Sequence, residues 1–139
     1  VGYGANENKI KNFIKQNKLQ NKVKVLGFQD NPYKIIKRSD VFILTSKFEG
    51  LPNVLIQAML LGIPCVSTNC KSGPKEILMN GKYGQLIEAG DQLGMSKAII
   101  NVLEERWESK SKNGLEKKYN LKKIVNHYLE LPVFKNENN

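Results

Sequence analysis

Apolar and polar positions follow two different periods along the first ninety residues. Residues 7–18 (ENKIKNFIKQNK) place Ile10, Phe13 and Ile14 on one side of a helix. Residues 22–28 (KVKVLGF) predict a strand that ends near Gly27. Residues 31–39 (NPYKIIKRS) predict a short helix after a turn.

Two nearly continuous apolar runs, residues 40–46 (DVFILTS) and 63–68 (IPCVST), predict strands that are buried on both faces. Between them, residues 52–62 (PNVLIQAMLLG) predict a helix that Gly62 ends. Residues 72–79 predict a short helix, residues 83–88 a strand, and the chain from Asp91 onward only helices. This alternation predicts an α/β fold with a doubly wound parallel sheet flanked by helices and a helical C-terminal extension. We expect one domain over residues 1–132 and a disordered tail over residues 133–139.

Composition narrows this picture in three ways. The 139 residues are 40% hydrophobic, which suits one domain with a core, and no apolar run approaches the length of a membrane span. The first residues resemble the end of a strand rather than a signal peptide, so we expect a cytoplasmic chain that begins inside a larger protein. Cys65 and Cys70 are expected to be free thiols, and with His127 as the one histidine no metal site is expected.

The net charge of +9 is compatible with nucleic acid, an anionic membrane surface or an anionic small ligand. The lysines are scattered over helical segments, without interleaved aromatic residues or a nucleic-acid-binding motif. We therefore expect a solvated basic surface and no nucleic-acid partner. A membrane-adjacent enzyme is the second interpretation.

The richest candidate for a site is the turn after the strand that ends near Leu44. Ligands of open α/β sheets bind outside the carboxyl ends of the strands, which here points to the turns after residues 26, 45 and 67. A helix that begins near Pro52 or Asn53 offers unpaired N–H groups to a phosphate. Asn53 and Gln57 share one helical face, and Glu49 is suited to accept hydrogen bonds from sugar hydroxyls.

The same residues also allow an ordinary structural interpretation. Asn53 could simply cap the helix, Gln57 could be solvated, and Glu49 could be a plain loop acid. Spacing alone does not separate these alternatives. In the neighbouring turn, residues 72–76 (SGPKE), Glu76 could hold an adjacent loop by accepting backbone hydrogen bonds.

The segment SDVFILTSKFEGLPNVLIQAMLLGIPCVSTNCKSGPKEILMNGKYGQLIEAGD, residues 39–91, resembles the donor-binding half of family 4 (group 1) retaining glycosyltransferases. The likeness extends from VGYG through KVKVLGF to the closing helix. It implies the C-terminal half of a GT-B enzyme, a Rossmann-like domain. The implied reaction moves a hexose or N-acetylhexosamine from a nucleotide sugar, expected to be a UDP-sugar, with retention and without a metal.

The resemblance also assigns roles to individual positions. Glu49 matches the acid that contacts the donor sugar near the reacting carbon, and is the expected catalytic residue. Gln57 matches the position that binds the ribose. The base is expected at Gly27 and Phe28. The segment whose backbone amides meet the sugar and diphosphate is matched by Gly50, Leu51, Pro52, Asn53 and Val54. Ser46 is a further expected donor-binding residue.

Two departures from the family pattern bear on function. Gln57 stands where the family usually has a second Glu, which removes a charge-assisted bond to the ribose. The family's Arg/Lys pair that clamps the diphosphate, and its acceptor domain, precede the point where this sequence starts. We therefore expect no transfer by this chain alone, and a glycan or lipid-linked acceptor held by a missing N-terminal domain. The corresponding location is the cytoplasm or, as a peripheral enzyme, the inner face of the membrane. The rival interpretations are a GT-B epimerase-like enzyme and a non-catalytic basic binding module.

Overall fold

The computed structural model describes residues 4–104 of the chain. His127, the helices predicted after residue 104 and the tail over residues 133–139 lie outside these residues. The chain divides into two compact units, the first ending at Ile35 and the second beginning at Ile36. The single domain over residues 1–132 stays a prediction.

The first unit contains the predicted amphipathic helix, α1 (Glu7–Gln16). Its three predicted apolar positions are not equally covered. Ile14 is buried, whereas Ile10 is 49% exposed and Phe13 is 60% exposed. An exposed ion pair joins Lys11 Nζ to Glu7 Oε1 at 2.6 Å, one helical turn apart. Such a pair adds only about 0.3–0.5 kcal/mol, so the burial of Ile14 matters more for this helix.

The predicted strand over residues 22–28 is wrong for this structure. The backbone there is irregular and forms no ladder with any described strand. Val23, Leu26 and Phe28 are all exposed. The alternation of apolar residues gives a segment the propensity for a strand, but a strand forms only where a neighbour supplies the hydrogen bonds and the packing surface.

The second unit holds a three-stranded parallel sheet with the order β1–β2–β3. Strand and helix alternate as the sequence predicts, which confirms the α/β class and the parallel sheet flanked by helices. A short helix, α2, spans the boundary between the units. The elements are α2 (Tyr33–Ile36), β1 (Phe42–Leu44), α3 (Asn53–Leu60), β2 (Cys65–Thr68), α4 (Pro74–Ile77), β3 (Gln85–Ile87) and α5 (Gln92–Glu104).

The central strand, β2, separates two apolar clusters. Successive side chains of a strand point to opposite faces of a sheet. Cys65 accordingly packs with Leu55, Met59 and Ile77 from α3 and α4, whereas Val66 packs with Ala98 and Val102 from α5. Every residue of β2 is buried, which confirms the prediction for this strand.

The prediction of burial on both faces is wrong for β1. Phe42 and Leu44 are half-buried and pack on the cluster of α3 and α4, but Ile43 is 39% exposed. Within the described residues β1 pairs with β2 alone, so it is an edge strand there. An edge strand has fewer neighbours to cover its second face.

The end of α3 is fixed by Gly62, as the sequence predicts. Gly62 has a φ of +80° and follows the C-cap residue Leu61. The next amide, of Ile63, donates to the Ala58 carbonyl at 3.0 Å and closes the last turn. A residue with a side chain is strained at this φ, so glycine lets the chain reverse directly into β2.

We expect the stability of the fold to fall with pH above pH 9 through Cys65. Both cysteines are free and buried, and burial raises the pKa of the Cys65 thiol from 9.0 to about 12. Between these values the unfolded chain releases the thiol proton and the folded chain keeps it. The free energy of unfolding should therefore drop by up to about 1.4 kcal/mol per pH unit through this group.

Urea unfolding of the protein and of Cys65→Ala from pH 8 to pH 11 measures this slope. The two proteins differ only at this side chain, so the difference between the two slopes isolates Cys65. Parallel curves would contradict the prediction.

Candidate functional site

The segment between β1 and α3, residues 45–52, is called here the Glu49 loop. It leaves the carboxyl end of β1 and enters α3 at Asn53, so it lies where open α/β sheets bind ligands. Its tip faces solvent: Phe48 is 84% exposed, and Leu51 is also exposed. Glu49 itself is half-buried. The Glu49 side chain is therefore accessible to a ligand, while the surrounding loop restricts its movement.

The carboxylate of Glu49 is oriented by a residue of its own loop. Ser46 Oγ donates a hydrogen bond to Glu49 Oε1 at 2.6 Å. Oε2 accepts no hydrogen bond from residues 4–104, so it can still receive one from a ligand. The predicted donor-binding role of Ser46 stays a prediction, but its hydroxyl proton is already committed to Glu49.

The first half of the Glu49 loop is tied to the end of β2. Thr68 Oγ1 donates to the Ser46 carbonyl at 2.5 Å and lies 3.4 Å from the Leu44 carbonyl. Thr68 is only 5% exposed, so water does not compete freely for its hydroxyl. This bond joins the carboxyl ends of β1 and β2. It also fixes the backbone of Ser46, whose hydroxyl orients the Glu49 carboxylate.

The second half is tied to the segment that follows β2, residues 69–73, called here the Ser72 loop. Ser72 Oγ donates to the Glu49 carbonyl at 2.6 Å. Gly73, with a φ of +85°, packs so closely that an added Cβ would overlap the Gly50 carbonyl and lie 2.6 Å from Pro52 Cδ. Glu49 is thus held through both its carboxylate and its backbone.

The beginning of α3 leaves backbone donors available. Pro52 is the N-cap, and no described side chain bonds to this end of the helix. The Pro52 carbonyl accepts from Leu55 and Ile56, which leaves the amides of Asn53 and Val54 open to an anion. The alternative that Asn53 merely caps α3 is wrong, because Asn53 is the first helical residue.

The helix face that the sequence singles out is present as expected. Asn53 is exposed and Gln57, one turn later in α3, is half-buried. Neither side chain bonds to another residue among those that the structure describes. Their amide groups are therefore free to meet a polar ligand, and their roles stay predictions.

Gly27 and Phe28, the expected base-binding positions, belong to the first unit. Phe28 is exposed, and Gln29 Nε2 donates to the carbonyls of Leu26 and Phe28 at 2.8 and 2.9 Å. These bonds define a local turn. The assignment of the base to this turn stays a prediction.

Two depressions flank the Glu49 loop and the strand ends. One of about 210 Å³ lies at the carboxyl ends of the strands and is lined in part by Thr45, Lys47 and Thr68. An open one of about 590 Å³ is lined by Lys71, Lys75 and the two Ser72 loop residues that contact the Glu49 loop, Ser72 and Gly73. The larger depression therefore adjoins the Glu49 loop, and its charged lining residues are these two lysines and one acid, Glu76. No group of three or more His, Cys, Asp or Glu side chains that could hold a metal exists among residues 4–104.

Three residues that shape this site were not singled out from the sequence: Thr68, Ser72 and Gly73. The turn after β2 does follow from the rule that binding turns lie at the carboxyl ends of strands. That rule gives the location of a turn, but not the direction of its hydroxyl groups. In residues 72–76 the sequence indicated Glu76 as an acceptor of backbone hydrogen bonds from an adjacent loop, and this stays a prediction. The structure adds Ser72, which donates to the Glu49 carbonyl.

The known proteins that this chain resembles in sequence are glycosyltransferases. The family model of glycosyl transferases group 1 matches residues 1–123. An uncharacterized glycosyltransferase of Methanocaldococcus jannaschii is 47% identical over 78 residues, which are 56% of this chain and 19% of that protein. A Campylobacter jejuni protein, named N-acetylgalactosamine-N,N'-diacetylbacillosaminyl-diphospho-undecaprenol 4-alpha-N-acetylgalactosaminyltransferase, is 33% identical over 105 residues, 76% of this chain and 29% of that protein.

Solved structures match the fold over almost the whole chain. A Staphylococcus aureus TarM variant in complex with fondaparinux, alpha-GlcNAc-glycerol and UDP aligns with a TM-score of 0.81 and 27% identity, over 91% of this chain and 27% of TarM. The apo form of the lipopolysaccharide outer core galactosyltransferase WaaB aligns with a TM-score of 0.77 and 26% identity, over 92% of this chain and 38% of WaaB. The chain thus spans less than two fifths of each protein it matches here.

We expect Thr68→Val to loosen the Glu49 loop. The substitution keeps the shape of the side chain but removes the donor to the Ser46 carbonyl. Loss of one hydrogen bond at a nearly buried site should lower the free energy of unfolding by about 1–2 kcal/mol. Urea unfolding measures the change. Thr45→Val, at an exposed threonine in the same loop, is the matched control, and equal losses in both variants would contradict the prediction.

Proposed function

The chain belongs to the glycosyl transferases group 1 family, and from this we propose that it is the donor-binding domain of an enzyme that transfers a sugar from a nucleoside diphosphate sugar with retention. The observation that carries the proposal is one juxtaposition. An oriented carboxylate, Glu49, lies four residues before Asn53, the first residue of a helix whose first amides are open. A nucleotide sugar needs both kinds of group, hydrogen-bond acceptors for hydroxyls and donors for phosphate.

The start of α3 is the proposed diphosphate contact. The open amides of Asn53 and Val54 and the positive end of the helix dipole attract an anion. As the sugar leaves, negative charge grows on the diphosphate, and fixed donors stabilise that charge without reorganising. We propose that these donors, rather than a metal ion, stabilise the leaving diphosphate.

Glu49 is the proposed sugar contact. A carboxylate repels phosphate, so the same residue is unsuited to the diphosphate. Sugar hydroxyls donate hydrogen bonds, and Oε2 of Glu49 remains open to accept one. Retaining transfer builds positive charge on the sugar, which a nearby carboxylate also stabilises.

Gln57 is the proposed ribose contact. It lies one helical turn after Asn53 and on the same face of α3 as Asn53, whose amide is a proposed phosphate contact. A carboxamide can both donate to and accept from a ribose hydroxyl, although its bond is weaker than that of a carboxylate.

The relatives suggest the class of donor and acceptor. The TarM complex contains UDP, and the Campylobacter jejuni relative is named for a diphospho-undecaprenol-linked glycan acceptor. We therefore favour a UDP-sugar donor and a glycan or lipid-linked acceptor bound by a separate domain, so that this chain alone does not catalyse transfer. No helix within residues 4–104 is long and apolar enough to cross a membrane. A net charge of +9 suits an enzyme that works beside an anionic membrane surface.

We expect Glu49→Gln to reduce turnover far more than donor affinity. The substitution keeps the size of the side chain and removes its charge, which the transition state uses more than the ground state does. In the intact enzyme, kcat should fall about 100-fold or more. The dissociation constant of UDP, measured by calorimetry, should change less than about threefold because UDP lacks the sugar. Glu104→Gln, at an exposed acid of α5, is the control. Equal effects on kcat and UDP affinity would argue against the sugar role.

We expect Gln57→Ala to weaken nucleotide binding. Losing the ribose hydrogen bond should raise the dissociation constant of UDP about tenfold. Gln57→Glu should bind UDP at least as tightly as the native protein, because a carboxylate forms a charge-assisted bond to a hydroxyl. Gln16→Ala, at an exposed glutamine of α1, is the control, and GDP is titrated in parallel to test the base. Unchanged UDP affinity in Gln57→Ala would refute the ribose assignment.

A further inference from the structure

We infer that Ser72 is a positioning residue that fixes the Glu49 backbone beside the start of α3. It thereby sets where the Glu49 carboxylate meets the donor sugar. The inference rests on the proposed role of Glu49. Ser72 lies in a different loop, 23 residues away in sequence, and acts on Glu49 through the backbone rather than through the substrate.

Three separate hydrogen bonds fix the Glu49 loop. Thr68 holds the carbonyl of Ser46, Ser46 holds the carboxylate of Glu49, and Ser72 holds the carbonyl of Glu49. Without the third bond, the carboxylate would still be oriented relative to Ser46. The backbone of Glu49, however, would be free to move relative to β2 and its following segment.

Gly73 extends the same contact to the helix start. Its missing Cβ admits the Gly50 carbonyl and the ring of Pro52, the N-cap of α3. The Ser72 loop therefore contacts both parts of the proposed site. These are the Glu49 loop, which carries the acid, and Pro52, which precedes the open amides of α3. One short segment sets the spacing between the sugar contact and the phosphate contact.

The bond from Ser72 is suited to positioning rather than to holding the fold together. It is short, at 2.6 Å, but exposed to solvent, so water can replace it when the hydroxyl is removed. The fold should survive this loss. Catalysis is more sensitive, because a displacement of about 1 Å in a reacting group costs up to about 100-fold in rate.

Steady-state kinetics of the intact enzyme test the inference with UDP-sugar as the donor. Ser72→Ala should lower kcat at least about tenfold while the donor KM and the UDP dissociation constant stay within about threefold. Ser72→Thr keeps the hydroxyl and should restore most of kcat. The unfolding midpoint of each variant is measured alongside, and Ser96→Ala, at an exposed serine of α5, is the matched control.

A double-mutant cycle with Glu49→Gln separates this inference from the proposed function. If Ser72 acts through Glu49, Ser72→Ala should lower kcat little further in the Glu49→Gln background. Full additivity of the two losses, a native kcat in Ser72→Ala, or a Ser72→Thr variant as slow as Ser72→Ala would each overturn the positioning role while leaving the role of Glu49 intact. A native kcat in Glu49→Gln alone would overturn both.

Discussion

The pairing of β2 on both of its edges is the constraint on which the rest of the second unit depends. Its four residues are all buried, and their amides and carbonyls are satisfied by β1 on one side and β3 on the other. Because successive side chains alternate, Cys65 and Val66 supply the cores beneath two different layers of helices. The last residue of the strand, Thr68, then bonds to the Glu49 loop. The central strand therefore defines the layers and also anchors the site.

Much of this architecture follows from residue periodicity alone. The run around Cys65 is apolar without a break, as a central parallel strand requires, and Gly62 and Pro52 mark the ends of α3 in advance. The rule that ligands bind at the carboxyl ends of parallel strands then selects the turn that carries Glu49. The predictions of β2 and of the ends of α3 are confirmed because each depends on local sequence. The choice of this turn as a binding site rests on a general property of parallel sheets and stays a prediction. The family resemblance, confirmed by the match over residues 1–123, adds the proposed roles.

The structural features that the sequence did not predict depend on contacts between distant segments. Residues 22–28 have the alternation of a strand, yet no described strand pairs with them. Ile43 lies in an apolar run, yet it is exposed at an edge. Gly50 is one of the predicted donor-binding positions, and an added Cβ there would meet no protein atom within 4 Å. The glycine that the packing requires is Gly73, in another loop. Its role depends on the tertiary approach of two turns, which spacing does not encode.

The way Glu49 is held bears on what its charge can do. All three groups that fix its loop are neutral hydroxyls, and within residues 4–104 no lysine or arginine forms an ion pair with it. A cation in direct contact would hold the carboxylate as firmly, but would also cancel its field. Hydroxyl donors orient the acid and leave most of its negative charge uncompensated. The amides of Asn53 and Val54, at the start of α3, provide the opposite field a few residues away. The loop thus presents separated negative and positive ends, which is the polarity that departure of a sugar from its diphosphate develops.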